Sequence, residues 1–505
     1  MRISPGLAGD LVAGVSVAVV VIPQSLAYAD IAGMPPVAGL YSAALPPLVA
    51  AIFASSPYLQ TGPVAITALL SFGALSSLAT PGSAEYATLG LGLALIVGVA
   101  RIALGLLRAG WVAYLMSQPM LLGFIPAAAL LIAFSQLGSA FGVGERPEHD
   151  NQFLDAAWVL GHPDRWQSEA LIVTVTTLVV VIGGRRLHRL FPGILIAAVV
   201  ATLVSDAGGY DGATVETIPA GLPPFTVDDL PWGDLHRLLV AGVVIALIGF
   251  SEAASISRRF ADQERSRWDP DREFVSQGVA NVVAAASGGM PCGGSFSRSS
   301  VARACGARTR LAGAVTGLTV LAFLPFAGLL EPLPLATLAG IVISAVLGLL
   351  RFRPLLALWR LTVPQAVVAW STFVATLLLA PRIDIAVLIG IGMSLAVFLW
   401  RALQLDIDVL TDGTTLRLLP RGVLWFGTAQ RLDGAVTDAL AANPGMVRVE
   451  IDLSGLGRID TTGALVLRSV LAHAREIGLE AELSWMPPNS AALTTRILNS
   501  GDALG

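Results

Sequence analysis

The chain has 505 residues, 55% of them hydrophobic and only 13% charged, with a mean hydropathy of +0.74; a soluble domain would carry roughly 25% charged residues, so lipid is the solvent this composition requires. All 31 basic residues are arginine, which excludes P-loop and pyridoxal chemistry, both of which need a lysine amine, and with them ATP-driven pumping by this chain. The net charge of -4 averages loops of opposite sign, and no basic stripe interleaved with aromatics points to nucleic acid.

Residues 1–10 carry one arginine and no small-residue cleavage site behind a short apolar region, so the first apolar stretch is expected to be a retained span. Apolar runs long enough to cross a bilayer fall near 10–30, 36–53, 89–107, 113–137, 169–184, 190–206, 236–257, 271–288, 311–330, 334–350, 363–380 and 383–401. Two more stretches, 61–78 and 294–304, begin at Gly-Pro or Gly-Gly breaks, as discontinuous transmembrane helices do. Counting both predicts a polytopic α-helical membrane protein of 14 segments. The breaks fall in the third and tenth segments, which predicts two seven-segment repeats (7+7) of inverted topology, each with a broken half-helix.

Alternation from a cytoplasmic N-terminus puts Arg108, Arg185, Arg186, Arg189, Arg258, Arg259, Arg303 and Arg351 inside, as the positive-inside rule demands. It puts Glu145, Glu148, Asp150, Asp206, Glu216 and Glu331 outside, with Arg146, Arg165 and Arg382 as basic exceptions. Cys292 and Cys305 would stand about 20 Å apart along a helix, beyond disulfide reach. The membrane domain is expected over 1–402. Past Arg401 charges become frequent, and Val447–Leu453 alternates as a half-buried strand does, so a cytoplasmic α/β domain is expected over 406–505. Its elements read as strand 415–426, helix 428–441, strand 446–453, helix 461–477, strand 480–485 and helix 488–499.

Several motifs carry chemistry. In the first span Pro23 removes a backbone donor, and Gln24 and Tyr28 stand four apart on one helical face at membrane depth. Two readings are open: a kink packed on a neighbour, or a substrate-facing turn, because polar groups in hydrocarbon need a cavity or a partner. In Thr61-Gly62-Pro63-Val64-Ala65, a capping threonine and an early proline predict a helix start with N–H groups along its axis. Gly288–Ser300, which contains Phe296, Ser297 and Arg298, repeats that pattern. Two such N-termini facing each other near the midplane would each add about half a positive charge, and Arg298 a full one, making an anion site; the alternative is a pair of tight turns. Glu252, ionisable within the eighth span, would either bind a co-transported proton or cation, or hold Arg298 or the broken backbone in place. Thr461 and Thr462 open a helix after Asp460, either as plain caps or as a phosphorylatable, partner-reading loop.

These residues resemble the sulfate permease (SulP) family. The resemblance runs through Pro23–Ala29, Ile31–Pro36 and Gly39–Tyr41 and through Gly293–Arg310; the tail, with Asp460-Thr461-Thr462-Gly463, resembles a STAS domain, whose usual loop reads Asp-Ser-Ser-Gly. It implies a secondary transporter of small anions rather than an enzyme, with an inorganic anion or dicarboxylate of the sulfate, bicarbonate or dicarboxylate class as substrate. The transport would run by an elevator movement with proton coupling or exchange. Segments 1–4 and 8–11 would form a core, and 5–7 with 12–14 a gate. Gln24, Tyr28, Val64, Ala65, Phe296, Ser297 and Arg298 would line the substrate, with Glu252 the coupling candidate and Thr462 the regulatory one. No cofactor or metal is expected; a homodimer in an inner membrane is. A nucleobase–cation symporter shares that membrane architecture but lacks a STAS tail and lines its site with carboxylates. A membrane-anchored STAS sensor without transport is the third reading. The spans hold no His-Glu metal motif and no Ser/His pair for an intramembrane hydrolase.

Overall fold

The computed structural model describes residues 5–114, 117–144, 151–188, 190–215 and 217–499. Glu145, Arg146, Glu148, Asp150, Arg189 and Glu216, assigned to loops above, lie outside the described residues. The chain forms two compact units, Met1–Gly392 and Met393–Gly505.

The first unit is built from α1 (Pro5–Ile31), α2 (Pro36–Phe53), strand β1 (Gln60–Gly62), α3 (Ala65–Leu75), α4 (Ala84–Leu106), α5 (Gln118–Ser135), α6 (Ser168–Leu178), α7 (Gly193–Val204), α8 (Leu235–Glu264), α9 (Pro270–Ala286), strand β2 (Gly293–Ser295), α10 (Phe296–Ala304), α11 (Leu311–Phe323), α12 (Leu335–Val346), α13 (Val363–Leu378) and the first half of α14 (Ile383–Ala402), whose second half begins the second unit. Among the described residues nine helices are long and apolar enough to cross a membrane, so the chain is a multi-pass membrane protein. The expected first span, 10–30, is part of a longer helix that begins at Pro5. α9 opens with three charged residues, Asp271, Arg272 and Glu273, and still packs inside. Glu273 is fully buried because its Oε2 accepts the backbone N–H groups of Ser55 (3.1 Å) and Ser56 (2.7 Å), which follow the end of α2.

Small residues set how closely these helices approach. On α4 a Cβ at Gly98 would lie 2.8 Å from the Gly278 carbonyl of α9, and one at Gly278 would lie 2.8 Å from the Gly98 carbonyl. The two backbones therefore touch where both residues lack side chains. Two helices stand outside the expected spans, Gln152–Gly161 and Phe352–Leu361. The second is too short to cross; Leu355 and Leu358 are buried while Phe352, Leu356, Trp359, Arg353 and Arg360 are exposed, the mixed surface of an amphipathic helix.

The second unit continues with β3 (Asp406–Asp412), β4 (Thr415–Leu424), α15 (Ala429–Ala442), β5 (Arg448–Asp452), β6 (Leu456–Ile459), α16 (Thr461–Glu476), β7 (Glu480–Ser484) and α17 (Pro488–Asn499). The sheet order is β3-β4-β5-β7, with β6 also pairing β4. β3 is antiparallel to β4, and the other pairs are parallel. Val449 and Ile451 point into the core with Leu416, Leu418, Leu432 and Leu467, as the alternation requires. Sequence reasoning missed β3 and β6. β3 is exposed along almost its whole length, so it has no apolar face to read, and β6 is only four residues long.

Across the sheet, Arg417 Nη2 donates to Asp452 Oδ2 at 2.8 Å, and Asp452 Oδ1 accepts the Ser454 N–H at 2.9 Å. The Ser454 hydrogen bonds first, and Arg417 after them, hold the Asp452 carboxyl below its usual range. A depressed folded-state value stabilises the fold above the unfolded carboxylate value of about 3.9 and is lost as pH falls through the folded one. Asp452→Asn is therefore expected to lower the unfolding midpoint of this unit at neutral pH, with the gap to wild type closing as pH drops below about 4; thermal unfolding across pH checks it, and a pH-independent gap would assign the effect to packing.

Candidate functional site

The breaks in the third and tenth segments meet each other. β1 and β2 pair antiparallel, with Gln60 opposite Ser295, Thr61 opposite Gly294 and Gly62 opposite Gly293, and all six residues are buried. Unwound backbone inside a membrane unit has no water to bond, so each strand supplies the other's partner. The glycines make the approach possible: a Cβ on Gly294 would lie 2.7 Å from Leu59 and 3.0 Å from Ala253 of α8, and one on Gly293 would lie 2.9 Å from Val64. Side chains fix the rest. Ser299 Oγ donates to the Ser295 carbonyl (2.7 Å) and accepts the Gln60 N–H (2.9 Å). Asn281 brackets Cys292, accepting its N–H at 2.8 Å and donating to its carbonyl at 3.1 Å.

Thr61 is not the helix cap that its sequence suggested. It lies within β1, and its hydroxyl accepts from Gln277 Nε2 at 2.7 Å. The strand pairing recruits it, and α3 begins later, after an extended Val64, with no side chain capping its first N–H groups. α10 starts directly after β2, with the Ser295 hydroxyl accepting the Arg298 N–H at 3.5 Å. Each half-helix starts within three residues of its strand, so both N-terminal ends lie at the ribbon.

Arg298 is 1% exposed. Its Nη1 donates to the Pro63 carbonyl at 2.8 Å, while Nε and Nη2 have no partner among the described residues. Those two nitrogens form one edge of the guanidinium, the fork that takes an oxyanion through two parallel hydrogen bonds. A Cβ on Gly62 would lie 3.4 Å from Nη2, so that glycine leaves the space beside the fork open. Tyr28 and Glu252 are within electrostatic reach of Arg298. No ion pair or hydrogen bond joins Glu252 to Arg298 or to any other described residue, so Glu252 does not hold the arginine by direct contact. Gln24 is buried one turn before Tyr28 on α1, with its Oε1 unpartnered. Val64 is buried beside Gly293, and Ala65 is half-buried at the first position of α3.

Phe296 and Ser297 are exposed at the start of α10. Phe296 is 42% exposed, stacks on Phe260 at 6.3 Å between ring centres, and carries the Arg259 guanidinium 5.1 Å above its ring. A cavity of about 620 Å³ runs between α5 and α8, lined by Ser117, Ser251, Ser255, Arg258 and Arg259 among others. Ser251 and Ser255 flank Glu252 along α8.

In the second unit Asp460, not a threonine, caps α16: its Oδ1 accepts the Gly463 N–H at 2.7 Å, and Oδ2 accepts the Phe426 N–H at 3.2 Å. Thr461 and Thr462 are exposed at the first two positions of that helix. Sequence reasoning missed Gln277, whose partner Thr61 lies 216 positions away, and Asn281, which reaches back to the backbone of Cys292. It also passed over Arg101, fully buried in α4, although an ionisable residue inside an apolar span is itself the signal.

The sequence profile described as "Sulfate permease family" matches residues 7–372, a stretch that holds the ribbon, both half-helices and Arg298. The chain belongs to the sulfate permease family. It is 33% identical over 418 residues to "Probable sulfate transporter 4.2" of Arabidopsis thaliana, covering 81% of this chain and 61% of that protein. The chain thus spans less than two thirds of the length of that relative. A probable sulfate transporter of Mycobacterium tuberculosis is 29% identical, over 93% of this chain and 89% of that one. Among solved structures, SLC26A9 superposes with a TM-score of 0.89 at 18% identity, over 99% of this chain and 88% of that one. The transmembrane domain of the cyanobacterial bicarbonate transporter BicA superposes with a TM-score of 0.68 at 23% identity, over 77% of this chain and 98% of that one. Both share the fold of this family member.

One glycine ties helix packing to the site. On α2 a Cβ at Gly39 would run into the Ser25 carbonyl of α1, directly between Gln24 and Tyr28. Gly39→Ala is expected to force α1 and α2 apart and to lower stability by about 1–3 kcal/mol; thermal unfolding in detergent reads it, and an unchanged midpoint would show that the two helices part freely.

Proposed function

We propose that the chain is a secondary transporter of small anions rather than an enzyme, with a substrate of the sulfate, bicarbonate or dicarboxylate class. The observation that carries this is the open fork of Arg298: a fully buried cation with two N–H groups unpartnered, beside two half-helix N-termini. A buried guanidinium left half-satisfied is unfavourable until an oxyanion fills it. The printed descriptions of the relatives, sulfate transporters and a bicarbonate transporter, support the same class.

In this reading Gln24, Tyr28, Val64, Ala65, Phe296, Ser297 and Arg298 surround the anion, and Glu252 takes up a co-transported proton. The absence of an ion pair at Glu252 supports that role, since an unpaired carboxylate near a buried cation is available to titrate or to feel the anion's arrival. Segments 1–4 and 8–11 form a core that slides as an elevator against a gate of segments 5–7 and 12–14. The cavity between α5 and α8, one helix from each group, supplies the path from one side. The membrane domain occupies 1–402 and a STAS domain 406–505, in a homodimer of an inner membrane with both the N-terminus and the STAS domain cytoplasmic. Thr462, exposed and free of capping duty, is the regulatory candidate.

Proteoliposome uptake of labelled sulfate, with a competing panel of bicarbonate, dicarboxylates and chloride under imposed pH and sodium gradients, tests the reading. Failure of every anion to accumulate would overturn it. Arg298→Met is expected to weaken anion affinity by roughly 10- to 100-fold, the worth of one charged hydrogen bond or more, while the protein still folds. Glu252→Gln is expected to keep anion binding and lose stimulation by the proton gradient, because glutamine retains the size and the carbonyl oxygen and loses only the titrating proton. Gradient stimulation that persists in Glu252→Gln would remove Glu252 from coupling.

A further inference from the structure

A second arginine lies wholly inside the membrane unit and is not among the groups placed around the anion above. Arg101, near the middle of α4, is 0% exposed, and no carboxylate lies within ion-pair distance of it among the described residues. Three backbone carbonyls surround it instead. Nη1 donates to Cys292 at 2.8 Å, Nε to Ala246 at 3.1 Å and Nη2 to Ile245 at 3.4 Å. Ile245 and Ala246 belong to α8, whose carbonyls have a second lone pair beyond the helix ladder. Cys292 is the residue immediately before β2, in unwound backbone. One guanidinium therefore joins a continuous helix to the broken strand.

Gly249 completes the arrangement. A Cβ there would run into Arg101 Nη2 and would lie 3.3 Å from Thr67 Oγ1 in the first turn of α3. Thr67 is itself buried, with that oxygen unpartnered. The missing side chain at 249 is the room that the guanidinium occupies, and it brings the charge close to the start of the other half-helix. A lysine would not serve here: its ammonium is a single point and does not span carbonyls on two separate elements as the planar fork does.

We infer that Arg101 is a positioning residue of the anion site. It locks the unwound stretch ahead of β2 onto α8, and thereby fixes Arg298, carried on α10, relative to Glu252, carried further along α8. Its charge adds a second fixed positive field near α3. The inference rests on the transport reading for what the site holds, but the clamp itself does not.

The test uses the full chain in proteoliposomes with labelled sulfate, and thermal unfolding in detergent in parallel. Arg101→Lys keeps the charge and loses the fork, Arg101→Met loses both, and Gly249→Ala keeps every polar group while displacing the guanidinium. All three are expected to raise the KM for sulfate about fivefold or more, with kcat changed less, and Lys to retain more affinity than Met. Gly249→Ala is expected to add nothing, in KM or in unfolding midpoint, once Arg101 is already Met, because the obstacle is gone. Should Arg101→Met fail to fold, Gly249→Ala alone carries the test. An unchanged KM in Gly249→Ala with lowered stability would make Arg101 a packing residue only and overturn the inference. An equal Gly249→Ala penalty with and without Arg101 would overturn the clamp. Absence of sulfate uptake by the wild-type protein would tell against the transport reading, while the unfolding cycle between positions 101 and 249, which needs no substrate, decides the clamp separately.

Discussion

The interior of a membrane unit gives an unwound backbone no water to bond, and this chain unwinds twice at the same depth. The pairing of Gln60–Gly62 with Gly293–Ser295 answers both problems at once. Much of the surrounding sequence serves that ribbon. Glycines at 293 and 294 let Val64 and Ala253 come close, Gln277 meets Thr61, Asn281 brackets Cys292, and Ser299 stitches β2 to β1. Only with the ribbon formed do the two half-helices present their N-terminal ends to one place, and only then does Arg298 reach across from α10 to the Pro63 carbonyl ahead of α3.

The two buried arginines show how the same side chain is turned to different ends. Arg101 has a carbonyl for each of its three nitrogens, so its charge is fixed and its geometry closed. Arg298 has one carbonyl and an open edge. Among the described residues neither has a carboxylate within ion-pair distance. A unit that neutralised both with aspartates would be no more stable by necessity, since burying ion pairs has its own desolvation cost, and it would leave no open donor edge at the ribbon.

The second unit follows the ordinary rules of a small α/β fold. Its core is supplied by alternate residues of β4 and β5 and by one face each of α15 and α16. Asp460 takes both the capping of α16 and the Phe426 N–H. That leaves the hydroxyls of Thr461 and Thr462 exposed, which a threonine cap would not have done.

By itself the sequence determined the solvent, the approximate limits of most helices, the place of both breaks, the presence of an α/β tail and of a charge, Arg298, at the second break. Each of these follows from local composition: hydropathy over a span-length window, glycine and proline at fixed points, a charge where lipid forbids one. Tertiary structure alone decided the partners. That β1 pairs with β2 depends on residues more than two hundred positions apart, so Thr61 looked like a cap until Gln277 claimed its hydroxyl. Glu252 read equally well as a brace for Arg298 or as a titrating group, and only the fold shows that no ion pair joins the two among the described residues. Exposed β3 and short β6 carry no periodic signal and take shape only against β4. Arg101 was visible as an anomaly in an apolar run, but its meaning needed the Ile245 and Ala246 carbonyls and the space at Gly249 on α8 and the Cys292 carbonyl before β2, which meet it only in the folded unit.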